Sequence, residues 1–485
     1  MKTKLSLIAI MACIALSSSA KVLLPNLLCD NAVLQRNTAI TLWGTAKPNS
    51  KVEITTSWNN KMYQTKASSD GEWSTAVSST DAGGPYTLTF DDGEGVVKIK
   101  NVMLGEVWIT SGQSNMELTM LGNPTQPIEG AIDAVLKAKR TTPIRLFKVE
   151  KNATTSPQSD VNGRWSENTA ESVLSFSAAS YFFASYLNEV LDIPIGIINA
   201  SWGGSKIEAW LSKETLLKHK SYDLAHLDKP HFEGSPLHTP ALMYNGMLAP
   251  LKNYKFKGLL WYQGEANRNN SEEYKKLFPL FVNSLRDYFD CGNFPVFYAQ
   301  IAPYDNFGKG TNVVLMREAM AELTHLVDNC GMVTLTDIGE KLSIHPRYKR
   351  EVGERFAYWA LGHCYGYDFI EYRAPEYKAM KIFKDKRRGT CVALSFDYAP
   401  QGVSFKGENS RCFEIAGEDR VFYPAETRLQ KNKAYCLELW SDKVPNPIAV
   451  RYAFHGYAKG DMFNNFGIPV SSFRTDSWEI DNENL

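Results

Sequence analysis

The sequence lacks the features that several large classes of protein need. Its 53 basic and 53 acidic side chains cancel, so no overall charge attracts nucleic acid or an anionic membrane surface. Neither a Walker-type phosphate loop nor a G-x-G-x-x-G fingerprint occurs, which argues against nucleotide chemistry. The eight histidines show no tight metal-ligand spacing. We therefore expect neither a cofactor nor a metal.

Long apolar runs and cysteines are also scarce. The apolar run at residues 5–16 is too short to cross a bilayer comfortably, and Ser18-Ser19-Ala20 follows it. A basic start, a short apolar run and small residues are typical of a signal peptide, so residues 1–20 predict a secreted or periplasmic protein. We do not expect a lipid on Cys13, because apolar residues follow it. No later stretch predicts membrane insertion, and the seven remaining cysteines leave at least one unpaired.

Three regions differ in their hydrophobic pattern, and 485 residues fit two or three domains. Residues 21–103 alternate apolar and polar residues between Gly, Pro, Asn and Asp turns, which predicts a small β-sandwich. Residues 104–370 alternate strands with longer helical patterns, as a parallel α/β sheet requires. Short strands return in residues 371–485, a β-rich region. The helices predicted in the central region cover residues 178–190, 271–289 and 347–361.

One polar turn is the most informative feature of the central region. A short apolar run ends abruptly at Gly112-Gln113-Ser114-Asn115-Met116. A serine hydroxyl on a strand-to-helix turn can attack a carbonyl if a base takes its proton and N–H groups receive the oxyanion. An isolated turn of this kind is more often structural. Ser114 becomes a candidate nucleophile because three more polar loops occur later in the central region.

Each of the next three apolar runs ends in one of these loops. Trp202-Gly203-Gly204-Ser205 follows the first, Gln263-Gly264-Glu265-Ala266-Asn267 the second, and a loop from Asp337 to His345 the third. Open α/β sheets bind their ligands at the carboxyl ends of the strands, so the four loops should face one crevice. The residues expected to converge there are Ser114, Gly204, Gln263, Glu265, Asn267, Asp337 and His345.

These four blocks resemble the sialate O-acetylesterase group of carbohydrate esterases, within the SGNH (GDSL-like) hydrolase superfamily. They match in order and spacing, and the tail at residues 464–476 is also similar to this family. The resemblance covers nearly the whole mature chain. It implies an SGNH-type, flavodoxin-like three-layer sandwich with a parallel sheet, flanked by N- and C-terminal β-rich, sandwich-like regions.

The resemblance also implies an activity. A serine esterase of this group removes O-acetyl groups from sugars through an acyl-enzyme and then water, without a cofactor. Sialic acids acetylated at 9-O or at another position are the leading substrates. An acetylxylan or other acetyl-glycan esterase is the alternative enzyme, because the same blocks serve both. A carbohydrate-binding protein with a degenerate esterase site is the alternative without catalysis.

Roles at the site follow from the same resemblance. Ser114 is the expected nucleophile and His345 the expected general base. The backbone N–H groups of Ser114 and Gly204 are expected to form the oxyanion hole with the side-chain amide of Asn267, or alternatively of Gln263. The residues expected to contact the substrate are Gln113, Trp202 and Gln263.

The third member of the catalytic triad is open. The superfamily commonly has an Asp three residues before the histidine, and this chain has Leu342 there. Asp337 is slightly favoured to orient the imidazole, with Glu265 as the alternative acid. A Ser-His dyad with a backbone carbonyl partner is the third possibility.

Overall fold

The computed structural model describes residues 21–219, 222–305, 311–430, 433 and 436–480. The predicted signal peptide at residues 1–20, with Cys13, lies outside the described residues. Across the described ranges, no helix combines the length and the apolar character needed to cross a bilayer. The cysteines in these ranges are free thiols, so packing and hydrogen bonds stabilise this part of the fold.

The N-terminal region consists of short, mostly antiparallel strands whose buried and exposed residues alternate. In one of them Val52 and Ile54 are fully buried while Lys51 is exposed, the period of two that a half-buried strand requires. The strands are β1 (Val33–Gln35), β2 (Ala39–Thr45), β3 (Lys51–Thr56), β4 (Lys61–Lys66), β5 (Glu72–Ser78) and β6 (Gly83–Asp91). β2 pairs with β5, and β3 pairs with β4 and β6.

The central region is a mixed α/β unit. Its elements are β7 (Val96–Gly112), α1 (Ser114–Glu117), α2 (Ala131–Lys137), β8 (Ile144–Lys148), β9 (Trp165–Glu167), α3 (Ala170–Leu174), α4 (Ala178–Leu191), β10 (Ile195–Ser201), α5 (Lys213–His219), β11 (Gly258–Tyr262), α6 (Ser271–Tyr288), β12 (Val296–Ala299), α7 (Thr311–Leu326), β13 (Cys330–Val333) and α8 (Lys349–Cys364). The strand order is β13-β12-β11-β7-β10-β8-β9. All neighbours are parallel except β9, which pairs antiparallel with β8 at the edge.

Helices cover both faces of this sheet. Trp108 and Leu260 pack into the core that contains α4 and α8, whereas Ile109 and Trp261 pack into the core that contains α6 and α7. Strands buried on both faces need apolar residues at nearly every position, which is why β11 is buried throughout. The predicted mixed α/β class is confirmed, and the SGNH-type, flavodoxin-like assignment stays a prediction.

Strand β7 joins the first two regions. Its first part pairs antiparallel with β6, and residues 103–105 pair with β1. Residues 106–112 lie between β10 and β11, parallel to both. The boundary predicted after residue 103 therefore falls inside one continuous strand, because consecutive residues of β7 pair with strands from both regions.

The C-terminal region is rich in β-strands and has a hydrophobic core of its own, which includes Phe413 and Leu437. Its strands are β14 (Glu376–Asp385), β15 (Gly389–Asp397), β16 (Ser404–Phe405), β17 (Phe413–Ala416), β18 (Tyr423–Pro424), β19 (Glu426–Leu429), β20 (Leu437–Trp440), β21 (Ala449–Tyr452), β22 (Met462–Phe463) and β23 (Phe473–Arg474). Arg317 of α7 is fully buried and donates hydrogen bonds to the carbonyl oxygens of Ala453 and Gly456. The C-terminal region is thereby anchored on the central one.

Candidate active site

The nucleophile candidate stands at a sharp exit from the central strand. β7 ends at Gly112, and Ser114 begins α1 immediately afterwards. Gly112 has a φ of 136°, and a Cβ there would lie 2.1 Å from the carbonyl oxygen of Tyr262. Only glycine tolerates both the backbone conformation and this close approach. The chain can therefore turn next to β11 and present Ser114 at the strand ends.

The structure brings Ser114 and His345 into direct contact. His345 Nε2 lies 2.7 Å from Ser114 Oγ, and His345 Nδ1 lies 3.1 Å from Gln126 Oε1. An amide oxygen only accepts hydrogen bonds, so Nδ1 carries the proton and Nε2 accepts the serine hydroxyl. This is the tautomer that a general base requires.

The surroundings of His345 favour its neutral form. Burial of the ring, together with the nearby ammonium of Lys349, lowers the pKa of His345 to about 4. A low-dielectric environment disfavours any charged form, and a neighbouring cation disfavours imidazolium in particular. The imidazole is therefore unprotonated at neutral pH and able to accept a proton.

The two predicted acid partners lie elsewhere. Asp337 accepts two hydrogen bonds from the guanidinium of Arg355, at 2.8 and 2.6 Å. Glu265 is buried and accepts a hydrogen bond of 2.5 Å from Asn115 Nδ2. The partner of His345 Nδ1 in this structure is instead the Gln126 amide. The geometry therefore does not support the expectation that Asp337 or Glu265 orients the imidazole, because each carboxylate is already engaged by a different donor.

The loop that carries Gly204, one of the residues predicted to form the oxyanion hole, lies beside the nucleophile. Gly204 has a left-handed backbone, with a φ of 78°. The N–H of Gly203 donates to Glu117 Oε2 at 2.5 Å, and a Cβ on Gly203 would come within 3.3 Å of Ser114 Cβ. The loop after β10 thus runs directly against the serine, with the Gly203 N–H committed to a carboxylate.

The two candidate amides differ in their free donors. Asn267 Nδ2 donates to Glu208 Oε2 at 2.9 Å. An amide nitrogen has two N–H groups, so the second one is available to another acceptor. Gln263 Nε2 lies within 3.1 Å of three acceptors, Gln113 Oε1, Ser205 O and Asn267 Oδ1. Because an amide nitrogen has two N–H groups, Gln263 has none to spare. This geometry favours Asn267 over Gln263 as an oxyanion donor.

Two of the predicted substrate contacts are buried in the loops. Gln113 and Gln263 are buried, and Gln113 Oε1 also accepts the N–H of Ala266 at 3.1 Å. Both side chains therefore brace one loop against another in this structure. Trp202 is half-buried, and the Lys151 ammonium lies 5.5 Å from its ring centroid. Of the three, Trp202 is the one placed to contact a ligand.

Three residues at the site, Gln126, Asn115 and Lys349, have no role predicted from the sequence. Lys349 is fully buried, and burial lowers its pKa to about 7, against the opposing effect of Glu265. A lysine in the first turn of a helix normally faces solvent, so nothing in the sequence pattern indicated its burial. Gln126 lies in a loop without periodicity, where the partner of a side chain depends on tertiary structure alone.

The described part of the chain contains no group of three or more His, Cys, Asp or Glu residues that could hold a metal ion. What the site does contain is a serine hydroxyl bonded to a neutral imidazole, with the Gly203-Gly204 loop against the serine. Such an arrangement can attack a carbonyl carbon and stabilise the resulting oxyanion.

Comparisons with known proteins relate the chain to carbohydrate esterases. The family described as carbohydrate esterase, sialic acid-specific acetylesterase, matches residues 104–361. The sialate O-acetylesterase of Mus musculus is 25% identical, over 87% of this chain and 87% of its own length. The sialate O-acetylesterase of Homo sapiens is 26% identical, over 80% of this chain and 78% of its own length. A carbohydrate acetylesterase from Xanthomonas citri is 31% identical, with a TM-score of 0.83, and the match covers 94% of this chain and 100% of that one.

Proposed function

Because the chain belongs to the sialic acid-specific acetylesterase family of carbohydrate esterases, and so to the carboxylic ester hydrolases, we propose that it removes O-acetyl groups from sialic acids by serine catalysis. The family relationship supports esterase activity on O-acetylated sugars. The observation that carries the serine mechanism is the 2.7 Å contact between His345 Nε2 and Ser114 Oγ.

In the proposed mechanism, Ser114 Oγ attacks the acetyl carbonyl carbon while His345 Nε2 takes the hydroxyl proton. The backbone N–H groups of Ser114 and Gly204, with the spare N–H of Asn267, stabilise the oxyanion. The tetrahedral intermediate collapses, His345 returns the proton to the leaving sugar oxygen, and an acetyl-serine remains. A water molecule, deprotonated by the same imidazole, then attacks the acetyl carbon, and the imidazolium returns the proton to Ser114 Oγ as the bond to the serine breaks and acetate leaves.

We further propose that Gln126 holds the imidazole in place of a triad acid. Its amide oxygen fixes the Nδ1–H tautomer, the orienting role of the aspartate in a complete triad. A neutral amide lacks the charge that would stabilise imidazolium. The catalytic unit is then a Ser114–His345 dyad with an amide partner, which differs from a dyad that uses a backbone carbonyl.

One observation favours the neutral-sugar alternative, an acetylxylan or other acetyl-glycan esterase. The Glu117 carboxylate is bonded to Gly203, next to the nucleophile, and would repel a substrate carboxylate nearby. Lys151, the cation beside it, is paired with Glu117 at 2.5 Å. The contact between Ser114 and His345 argues against a binding protein with a degenerate site.

The test is acetate release from a panel of O-acetylated sialic acids and acetylated xylan. We expect the wild-type enzyme to release acetate from the sialic acids, with 9-O-acetyl esters among the substrates. The Ser114→Ala variant should release none. Release from xylan alone would establish the alternative substrate class. Full activity of Ser114→Ala would overturn the serine mechanism. Export through residues 1–20 stays a prediction, which N-terminal sequencing of the exported protein would check.

A further inference from the structure

A buried cation lies directly behind the catalytic pair. Lys349 is 0% exposed, and its ammonium donates to Asn115 Oδ1 at 2.6 Å and to the carbonyl oxygen of Pro346 at 2.9 Å. Asn115 follows Ser114 in the chain, and Pro346 follows His345. One side chain is therefore hydrogen-bonded to the residue next to each catalytic residue.

The amide of Asn115 completes this connection. Its Nδ2 donates to Glu265 Oε1 and, at 3.0 Å, to the carbonyl oxygen of Ile344. The residue before His345 is thus held by Asn115, and the residue after it is held by Lys349. Because the backbone is anchored on both sides of His345, the ring has little freedom to move away from the serine.

We propose that Lys349 and Asn115 are positioning residues, which fix the His345 loop against the Ser114 turn and place a cation behind the imidazole during the reaction. The proposal rests on the serine mechanism proposed above. It assigns a role to two buried side chains that contact neither the acetyl group nor its oxyanion in that mechanism.

The energetics of burial argue against a purely structural role for Lys349. Removing an ammonium from water costs several kcal/mol unless it is well paired. Here the carboxylate of Glu265 reaches Lys349 only through Asn115, and Glu265 Oε2 has no hydrogen-bond partner. An apolar side chain of similar length would fill the same space at a lower cost. A lysine at this position therefore suggests a use for its charge.

Lys349 is the charged group that acts on the catalytic imidazole, and two carboxylates act on Lys349 in turn. Lys349 approaches from α8, Glu265 from the loop after β11, and Glu340 from the loop that precedes His345. Glu340 is paired with Arg347 at 2.5 Å. Burial is the main cause of the low pKa of His345, and the ammonium of Lys349 lowers that pKa further. The cation thus keeps His345 in its basic form as the pH falls.

The principal test is Lys349→Met, which keeps the length of the side chain and removes its charge. We expect kcat to fall about 10²-fold because the pair loses its alignment, with KM nearly unchanged. We also expect the acid limb of the pH profile of kcat/KM to move up by about one pH unit, because a cation no longer opposes imidazolium. 4-Nitrophenyl acetate serves as the substrate, since it requires no sugar recognition.

Arg317→Met is the matched control, because Arg317 is also a fully buried cation but contacts the C-terminal region. The acid limb of the kcat/KM profile of Arg317→Met should coincide with that of the wild type. A Lys349→Met enzyme with reduced activity and an unshifted limb would overturn the proposal, since lost packing alone explains that result.

Two further measurements keep the proposal testable if Lys349→Met does not fold. Asn115→Ala should lower kcat and leave KM nearly unchanged, and an unaffected kcat would overturn the positioning role. In the wild type, the NMR signal of ¹³C-labelled His345, assigned by its loss in His345→Asn, should titrate well below pH 6.5. An ordinary titration would overturn the electrostatic role. Failure of the serine mechanism would appear separately, as full activity of Ser114→Ala.

Discussion

Two cations are fully buried in the described part of the chain, Arg317 and Lys349, and their surroundings differ. Arg317 donates to the carbonyl oxygens of Ala453, His455 and Gly456 and to Ser472 Oγ. Lys349 has two hydrogen-bond acceptors in the structure, an amide oxygen and one carbonyl oxygen. Arg317 thus has acceptors for four of its five N–H groups and Lys349 for two of its three, so the two sites differ mainly in where those acceptors lie.

Several buried polar atoms near the catalytic loops have no hydrogen-bond partner. Those in or beside the loop after β11 are Tyr262 Oη, Gln263 Oε1, Glu265 Oε2, Arg268 Nε and Tyr304 Oη. Native proteins leave few such groups, and each needs a reason. The hydrogen bonds of Arg317 lead to the C-terminal region, whereas those of Lys349 lead to the residues next to Ser114 and His345.

The largest expected effect is on the catalytic pair. Ser114→Ala and His345→Ala should each lower kcat at least about 10³-fold without unfolding the protein, because nucleophile and base act as one unit. The double variant should lose little more than either single variant. Kinetics and thermal melts of the three proteins check this. Multiplicative losses would show that the two residues act independently.

The next effect concerns the amide donors. Asn267→Ala should lower kcat about 10²–10³-fold with a smaller change in KM, because an oxyanion donor acts mainly in the transition state. Gln263→Ala should chiefly lower the melting temperature, since its N–H groups are committed to loop contacts. Steady-state kinetics of both variants decide the assignment. The reverse result would identify Gln263 as the donor.

Arg317→Met should affect stability rather than catalysis. Several carbonyl oxygens would lose their donor in a buried site, and we expect a loss of about 3 kcal/mol in the free energy of unfolding. Turnover of the folded protein should stay near that of the wild type. Urea denaturation and kinetics at low temperature measure the two quantities. A large fall in kcat would contradict the separation between the two buried cations.

The smallest expected effect on catalysis is that of Asp337→Asn. Because Asp337 is bonded to Arg355, the variant should lose about 1–3 kcal/mol of stability and keep near-normal turnover. Glu265→Gln is the companion variant, and it should lower kcat moderately, because Glu265 supports Asn115. A steep loss of turnover in Asp337→Asn at an unchanged melting temperature would make Asp337 the third triad member.

Features that depend on local pattern could be predicted from the sequence. The helix predicted at residues 178–190 is observed as Ala178–Leu191, because apolar periodicity and an N-terminal serine define it locally. Ser114 and His345 meet because both follow strands of one parallel sheet. Their catalytic roles stay predictions, although the contact between them was expected.

Features that depend on side-chain pairing could not be predicted. Arg355 and Asp337 are 18 positions apart, and no spacing rule reveals that a helix will direct its guanidinium to that carboxylate. The group that contacts His345 Nδ1 is the side-chain amide of Gln126, which lies in a loop 219 positions away in the sequence. Sequence periodicity describes which face of an element is buried, and it does not describe which polar group meets another inside.

Strand β7 has a mechanical consequence for the nucleophile. It is 17 residues long, which corresponds to about 55 Å at roughly 3.3 Å per residue. One end is hydrogen-bonded within the N-terminal region, and the other leads directly to Ser114. Residues 106–112 are also hydrogen-bonded to β10 and β11, so the serine end of the strand is held by the central sheet. The N-terminal region therefore cannot move relative to the nucleophile without bending β7 or breaking its pairing with β6.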